Sequence, residues 1–205
     1  MFIDDYFSYF PIMISMFSLL VSLFTYWRQR KRLTVEFDNT CLIFNSMKNI
    51  YLNDNLFALP APFGVEIGIS LVNPGHCNIS IFDLMVINQR TGRRQSFLLK
   101  SLIPDVYKNC QLKIYLSEKE RSLPEIPERP SALIRSGEYV RIDLVILTET
   151  DTNNTDALLI TFKSTDTSWI NRSIYNKKSK KHIYHAYEKT YSLSDAEVIT
   201  FEKDR

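Results

Sequence analysis

Residues 6–27 contain no Asp, Glu, Lys, Arg or His. No other feature restricts the folding of this chain as strongly, because such a run favours leaving water. Wound as a helix at about 1.5 Å per residue, it reaches roughly 33 Å, the hydrocarbon thickness of a bilayer. Tyr6, Tyr9, Tyr26 and Trp27 lie near its ends, where aromatic rings favour the headgroup level. The residues before it are acidic (Asp4, Asp5), and no small-residue cleavage site follows. A retained transmembrane helix over 6–27 is therefore expected in place of a cleaved signal peptide. Arg28, Arg30, Lys31 and Arg32 follow the run. By the positive-inside rule they put the chain in the inner membrane as a single-pass protein, with residues 1–5 outside and the C-terminal domain in the cytoplasm. The basic flank 28–32 then reads as a topology signal with lipid-headgroup contacts.

Within 6–27 the six Ser, Thr and Pro residues are Ser8, Pro11, Ser15, Ser18, Ser22 and Thr25, and Gly and Ala are absent. The gaps of 3, 4, 3, 4 and 3 fill every a and d position of one heptad register. Lipid solvates Leu, Ile, Met and Phe as well as another helix does, so small and hydroxyl-bearing residues mark where helices meet in a bilayer. The pattern predicts an association seam, most simply with copies of the same helix. A plain anchor whose hydroxyls bond back to their own carbonyls is the alternative. A bundle of four or more would line a polar path.

The rest of the chain is balanced in charge. Setting aside the four basic and two acidic residues that flank the run leaves 21 of each sign, which argues against a broad phosphate-binding surface. Cys41, Cys77 and Cys110 are too few and odd in number for a disulfide framework, as suits a reducing compartment.

From Leu33 the periodicity becomes two. In "FGVEIGISL", Phe63, Val65, Ile67, Ile69 and Leu71 alternate with Gly64, Glu66, Gly68 and Ser70. "EYVRIDLVIL" and "LLITF" repeat the pattern, and "NQRTGRRQ" places a Thr-Gly turn between two apolar runs. Strands are expected over 33–37, 41–45, 63–72, 78–88, 95–101, 107–116, 138–147 and 157–163, each with one buried face. Pro124, Pro127 and Pro130 recur at the polyproline spacing of three, as in a stiff surface loop. The stretch "ISLVNPGHCNISIFDLMVIN" carries Asn73 and Gly75, then Ile79 and Ile81, and "LIRSGEYVRIDLVI" carries a Gly-Glu turn before a strand. Over residues 63–163 this resembles the immunoglobulin-like sandwiches of bacterial membrane-anchored proteins. The resemblance implies a fold and a binding habit, not an activity. The cysteine pair and buried tryptophan of antibody domains are absent. The fold class expected is mainly β: a single transmembrane helix, then an antiparallel immunoglobulin-like β-sandwich over 33–163.

Residues 164–205 form a basic-aromatic extension. Between 169 and 191, Glu188 is the only acid. Arg172, Tyr175, Lys177, Lys178, Lys180, Lys181, Tyr184 and Tyr187 are candidates for contact with a nucleotide or an anionic surface, since such mixtures hold phosphates and stack on bases. Ser194 and Glu197 have capping-box spacing and predict a short final helix. His182 and His185 lack an acidic or cysteine partner at metal-ligand spacing, and adjacent His76 and Cys77 on a strand point apart. No phosphate loop, dinucleotide fingerprint or nucleophile elbow is present, so no catalytic residue, metal or cofactor is expected. The reading that follows is a non-enzymatic, self-associating membrane-anchored protein that presents a cytoplasmic binding domain to a protein partner. The alternative is a ligand-gated effector, sensing a nucleotide and perturbing the bilayer, whose layout resembles bacterial anti-phage effectors.

Overall fold

The computed structural model describes residues 3–28, 32–52, 55–57, 61–105, 110–117, 120–148, 157–165 and 184–199. Helix α1 covers Ile3–Arg28, with Pro11 inside it. Every side chain described on it, residues 9–25, is exposed, so the described part of the chain covers none of them. Among the described residues no helix is long and apolar enough to cross a membrane. This corrects the expected transmembrane helix.

Fourteen strands are described: β1 Thr34–Phe37, β2 Leu42–Asn45, β3 Ile50–Leu52, β4 Asn55–Leu56, β5 Phe63–Val72, β6 Ile79–Asn88 and β7 Arg94–Phe97, followed by β8 Leu112–Tyr115, β9 Arg121–Ser122, β10 Ala132–Ile134, β11 Tyr139–Thr148, β12 Ala157–Ser164, β13 His185–Ser192 and β14 Glu197–Val198. The protein is mainly β. The sheet arrangement departs from the expected sandwich. Ten strands form one continuous sheet in the order β13-β12-β6-β7-β11-β5-β2-β14, with β1 also on β5 and β10 also on β6, and four form a second sheet, β4-β3-β8-β9. The large sheet is not two separate layers, because β7 pairs with both β6 and β11 and stitches the halves together. Nor is it wholly antiparallel, since β14 lies parallel to β2.

The main core is the space between the two halves. Val65, Ile67, Ile69 and Leu71 of β5 and Ile142, Leu144 and Ile146 of β11 face Ile79, Ile81 and Val86 of β6 and Leu158, Ile160 and Phe162 of β12. Their period-two spacing is what the sequence displays. The opposite face of β5 and β11, expected to meet solvent, is buried at Gly64, Glu66 and Gly68 and at Asp143 and Val145. Phe44, Val145 and Leu98 there join Ile50, Leu52, Leu112, Ile114 and Ile126 in a second core beneath the small sheet. Gly64 stands directly opposite Phe44 in the β2–β5 register, and a Cβ on it would strike the Phe44 ring. Glycine here makes room for an aromatic ring on the outer face.

The expected final helix is also replaced. Leu193–Asp195 forms a single 3-10 turn with Leu193 buried, and the chain then runs out along β2. There the Glu197 amide donates to Cys41 O at 3.0 Å and the Ile199 amide to Ile43 O at 2.8 Å. Pairing to the sheet satisfies these amides as a helix would, and it anchors Leu193 in the core.

Candidate functional site

A corner and an opening define the end of the fold opposite β7. At the corner, Asn73 is fully enclosed. Its Nδ2 donates to Cys77 O (2.8 Å), Arg135 O (3.0 Å) and Ile134 O (3.2 Å), and its Oδ1 accepts the Gly75 amide at 3.1 Å. The Gly137 amide donates to Asn73 O at 2.8 Å, and Gly137 has φ +72°, a conformation that favours glycine. The Asn-x-Gly and Gly-Glu stretches, 64 residues apart in sequence, are therefore one hydrogen-bonded corner.

Beyond β7 the two halves of the large sheet separate. β11 has β7 as a neighbour only at Ile146 and Leu147, so on that side its 139–142 edge has no strand partner among the described residues. The proline-bearing segment crosses the gap. Glu125 O accepts the Asp143 amide (3.0 Å), Pro127 O the Lys100 amide (2.9 Å) and Pro130 O the Leu84 amide (3.2 Å). The carbonyls of a stiff segment thus bind the edges of both halves. Leu84 is brought to Pro130 by a bulge in β6. The β6–β12 register shifts between Thr161 and Lys163, Asp83 has φ +54°, and Lys163 Nζ lies 2.8 Å from Asp83 Oδ2.

The result is an open cleft of about 770 Å³. Ile81, Phe82, Leu133 and Val140 supply apolar lining, while Lys100 and Arg129 are basic and Glu125 and Glu128 acidic. Apolar lining with a few placed charges is the usual character of a recognition site.

A charged cluster adjoins the cleft on the outer face of β5 and β11. Arg141 gives Nε–H to Asp143 Oδ1 at 2.9 Å and reaches Asp38 Oδ2 at 2.8 Å. The Asp38–Arg141 pair lies over Gly68, whose missing side chain leaves it room. Asp143 Oδ2 also accepts the Glu125 amide at 2.8 Å, which ties the cleft wall to the cluster. Ser122 of β9 donates to Glu66 Oε1 at 2.6 Å. Burial pushes the Glu66 carboxyl above the ordinary carboxylate range. Asp143 and Asp38 add to that, while the Ser122 hydrogen bond and Arg141 oppose it. Burial likewise raises the Cys41 thiol and the Tyr191 phenol, whose OH donates to Asp38 O at 2.7 Å.

The residues singled out from the sequence fall in several places. Pro11, Ser15, Ser18, Ser22 and Thr25 are exposed along α1. Ser15 donates to Pro11 O (2.9 Å) and Thr25 to Val21 O (2.8 Å), so these two hydroxyls bond within their own helix. The side chains of Ser8 and Arg28 lie outside the described ones, as do Arg30, Lys31, Arg172, Tyr175, Lys177, Lys178, Lys180 and Lys181. Arg32 is exposed. Tyr187 stacks on Phe162 (ring centroids 5.2 Å apart) and its OH donates to Leu33 O at 3.2 Å, so that ring serves the core. Tyr184 meets Phe82, a cleft residue, edge to face with centroids 4.5 Å apart.

Sequence reasoning missed the charged cluster, which draws on four separate segments. Its one local signal was Glu66 between Gly64 and Gly68 on an otherwise apolar strand. Among the described residues no three His, Cys, Asp or Glu side chains lie so as to hold a metal ion. In comparisons with protein families, with curated proteins and with solved structures, the chain matches none.

Proposed function

We propose that this chain is a non-enzymatic, self-associating membrane-associated protein that presents its β-domain to a protein partner on the cytoplasmic side. One observation carries the reading: residues 9–25 of α1 are exposed throughout, while the β-domain closes two cores of its own without them. A helix this apolar needs burial against lipid or copies of itself. The cleft supports a protein partner. Its apolar lining borders the unpaired 139–142 edge of β11, a setting that receives an extended peptide as an added strand. Cys41, Cys77 and Cys110 are too few and odd in number for a disulfide framework, which accords with a reducing compartment.

The test compares the full chain in mild detergent with a chain beginning at Arg32, which keeps Leu33 in the core. A defined oligomer for the full chain, recovered with membranes on fractionation, beside a soluble monomer for the shorter one is the expected result. Two monomers would remove self-association from the reading.

A further inference from the structure

The small sheet covers a carboxylate that neither the helix nor the cleft lining explains. Glu66 stands on the outer face of β5 and is 7% exposed. Its Oε1 takes the Ser122 hydrogen bond at 2.6 Å, but its enclosed Oε2 has no hydrogen-bond partner among the described residues. The charged groups facing it come from two elements: Asp143 and Arg141 from β11, and Asp38 from the turn after β1. β9 contributes the Ser122 hydroxyl alone. Arg141 is already divided between Asp38 and Asp143, at 2.8 and 2.9 Å. Glu66 thus meets two acids and one cation whose charge is largely taken.

An ionised carboxylate in that position keeps one oxygen enclosed and unpaired, among the costliest states a buried group adopts. Two changes relieve the cost. A proton can bind Oε2, or the cover can lift so that water solvates it. The first needs only the smallest of ligands, which is the one that suits an enclosed oxygen. The second moves a particular stretch of chain. β9 holds β8 through only two residue pairs, Ile114 with Ser122 and Tyr115 with Arg121. Downstream of it, the Glu125 amide is on Asp143 Oδ2, Ile126 is buried in the second core, and Pro127 lines the cleft. Ser122 on Glu66 is the first of these ties along the chain.

We propose that Glu66 is a proton-binding anchor for segment 120–131. With the proton bound, β9 stays on the large sheet and holds the proline-bearing wall of the cleft. When Glu66 ionises, β9 lifts, water reaches the carboxylate, and the wall loosens. Protonation thereby sets the shape of the cleft. The inference does not depend on what the cleft binds.

Two measurements on the full-length chain test it. In the first, the carboxyl carbon of Glu66 is followed by NMR against pH and identified by its absence in Glu66→Gln. Its midpoint is expected above 4.5. In the second, amide hydrogen exchange of 120–131, corrected for the intrinsic effect of pH, is compared on the two sides of that midpoint. Exchange is expected to quicken several-fold as Glu66 ionises and to stay level in Glu66→Gln, while strands β5 and β12 remain protected. A midpoint at or below 4.5 overturns the proposal. So does exchange in 120–131 that ignores the midpoint, or that follows it equally in Glu66→Gln.

Discussion

Replacing Gly64 with alanine tests the view that the two faces of β5 are both core. Gly64 has an ordinary strand conformation, so a methyl group meets no backbone strain there, and glycine's entropic cost within a strand is about 0.5–1 kcal/mol. Considered alone, Gly64→Ala should stabilise the protein by that amount. The structure says otherwise. The added Cβ falls inside contact distance of the Phe44 ring, which is 1% exposed and enclosed by the second core. Phe44 cannot swing into solvent without losing a large share of the roughly 3–5 kcal/mol its ring contributes, so ring and strand must share a smaller displacement. Overpacking of this kind costs about 1–3 kcal/mol. Set against the entropic gain, a net loss of about 1–2 kcal/mol is expected. With a urea dependence of about 1–3 kcal/mol per molar, the unfolding midpoint of the β signal should fall by roughly 0.3–2 M. Phe44→Leu relieves the crowding, so the double variant should be less destabilised than the two single effects added together, by about 1 kcal/mol. A Gly64→Ala protein as stable as the parent, or additive single and double effects, would refute the reasoning.

Two other expectations come from the corner and the charged cluster. Asn73→Ala strands the Gly75 amide and three carbonyls that now share Nδ2, so a loss of about 2–4 kcal/mol, read as a lowered thermal midpoint, is expected, and a change within 0.5 kcal/mol would deny the corner its role. Glu66 has a folded pKa above its ordinary 4.5, so its contribution to stability is complete below 4.5 and is lost as pH rises through the folded value. Each unit of elevation is worth about 1.4 kcal/mol, and Glu66→Gln should flatten the decline in denaturation experiments across that range; an equal slope in both proteins would assign it to other groups.

What the sequence displays depends on how many neighbours a residue needs before its role is visible. β5, β6, β11 and β12 are long and aliphatic on their inner face, and their period of two stands out with no knowledge of partners. β3, β4, β9, β10 and β14 have two or three residues each, too few to show any period. β13 is long enough, yet "HAYEKTYS" conceals it, because its half-buried side is His185, Tyr187, Lys189 and Tyr191 instead of Val and Ile. Of the stretch that reads as basic and aromatic, Tyr187, Lys189 and Tyr191 bury rings and a long stem against the sheet, with Lys189 Nζ 5.5 Å from the Tyr191 ring centre.

The glycines show the limit most clearly. Alternation identifies Gly64, Glu66, Gly68 and Ser70 as one face of β5, and small or polar residues on one face ordinarily mean water. Here Gly64 is small because Phe44 of β2 occupies its place, and Gly68 because the Asp38–Arg141 pair does. Glu66 between them is not on a wet face. It is the one ionisable group on a strand buried on both sides, and only the meeting of four chain segments makes it so. A spacing rule compares residues within one segment, so it registers that the face is different and assigns the wrong cause. A polar residue flanked by glycines at i−2 and i+2 on a long apolar strand is better read as a place where other elements come down onto the sheet. In this chain that reading would have led to Glu66, to the cover formed by β9 and, through Glu125 and Asp143, to the wall of the cleft.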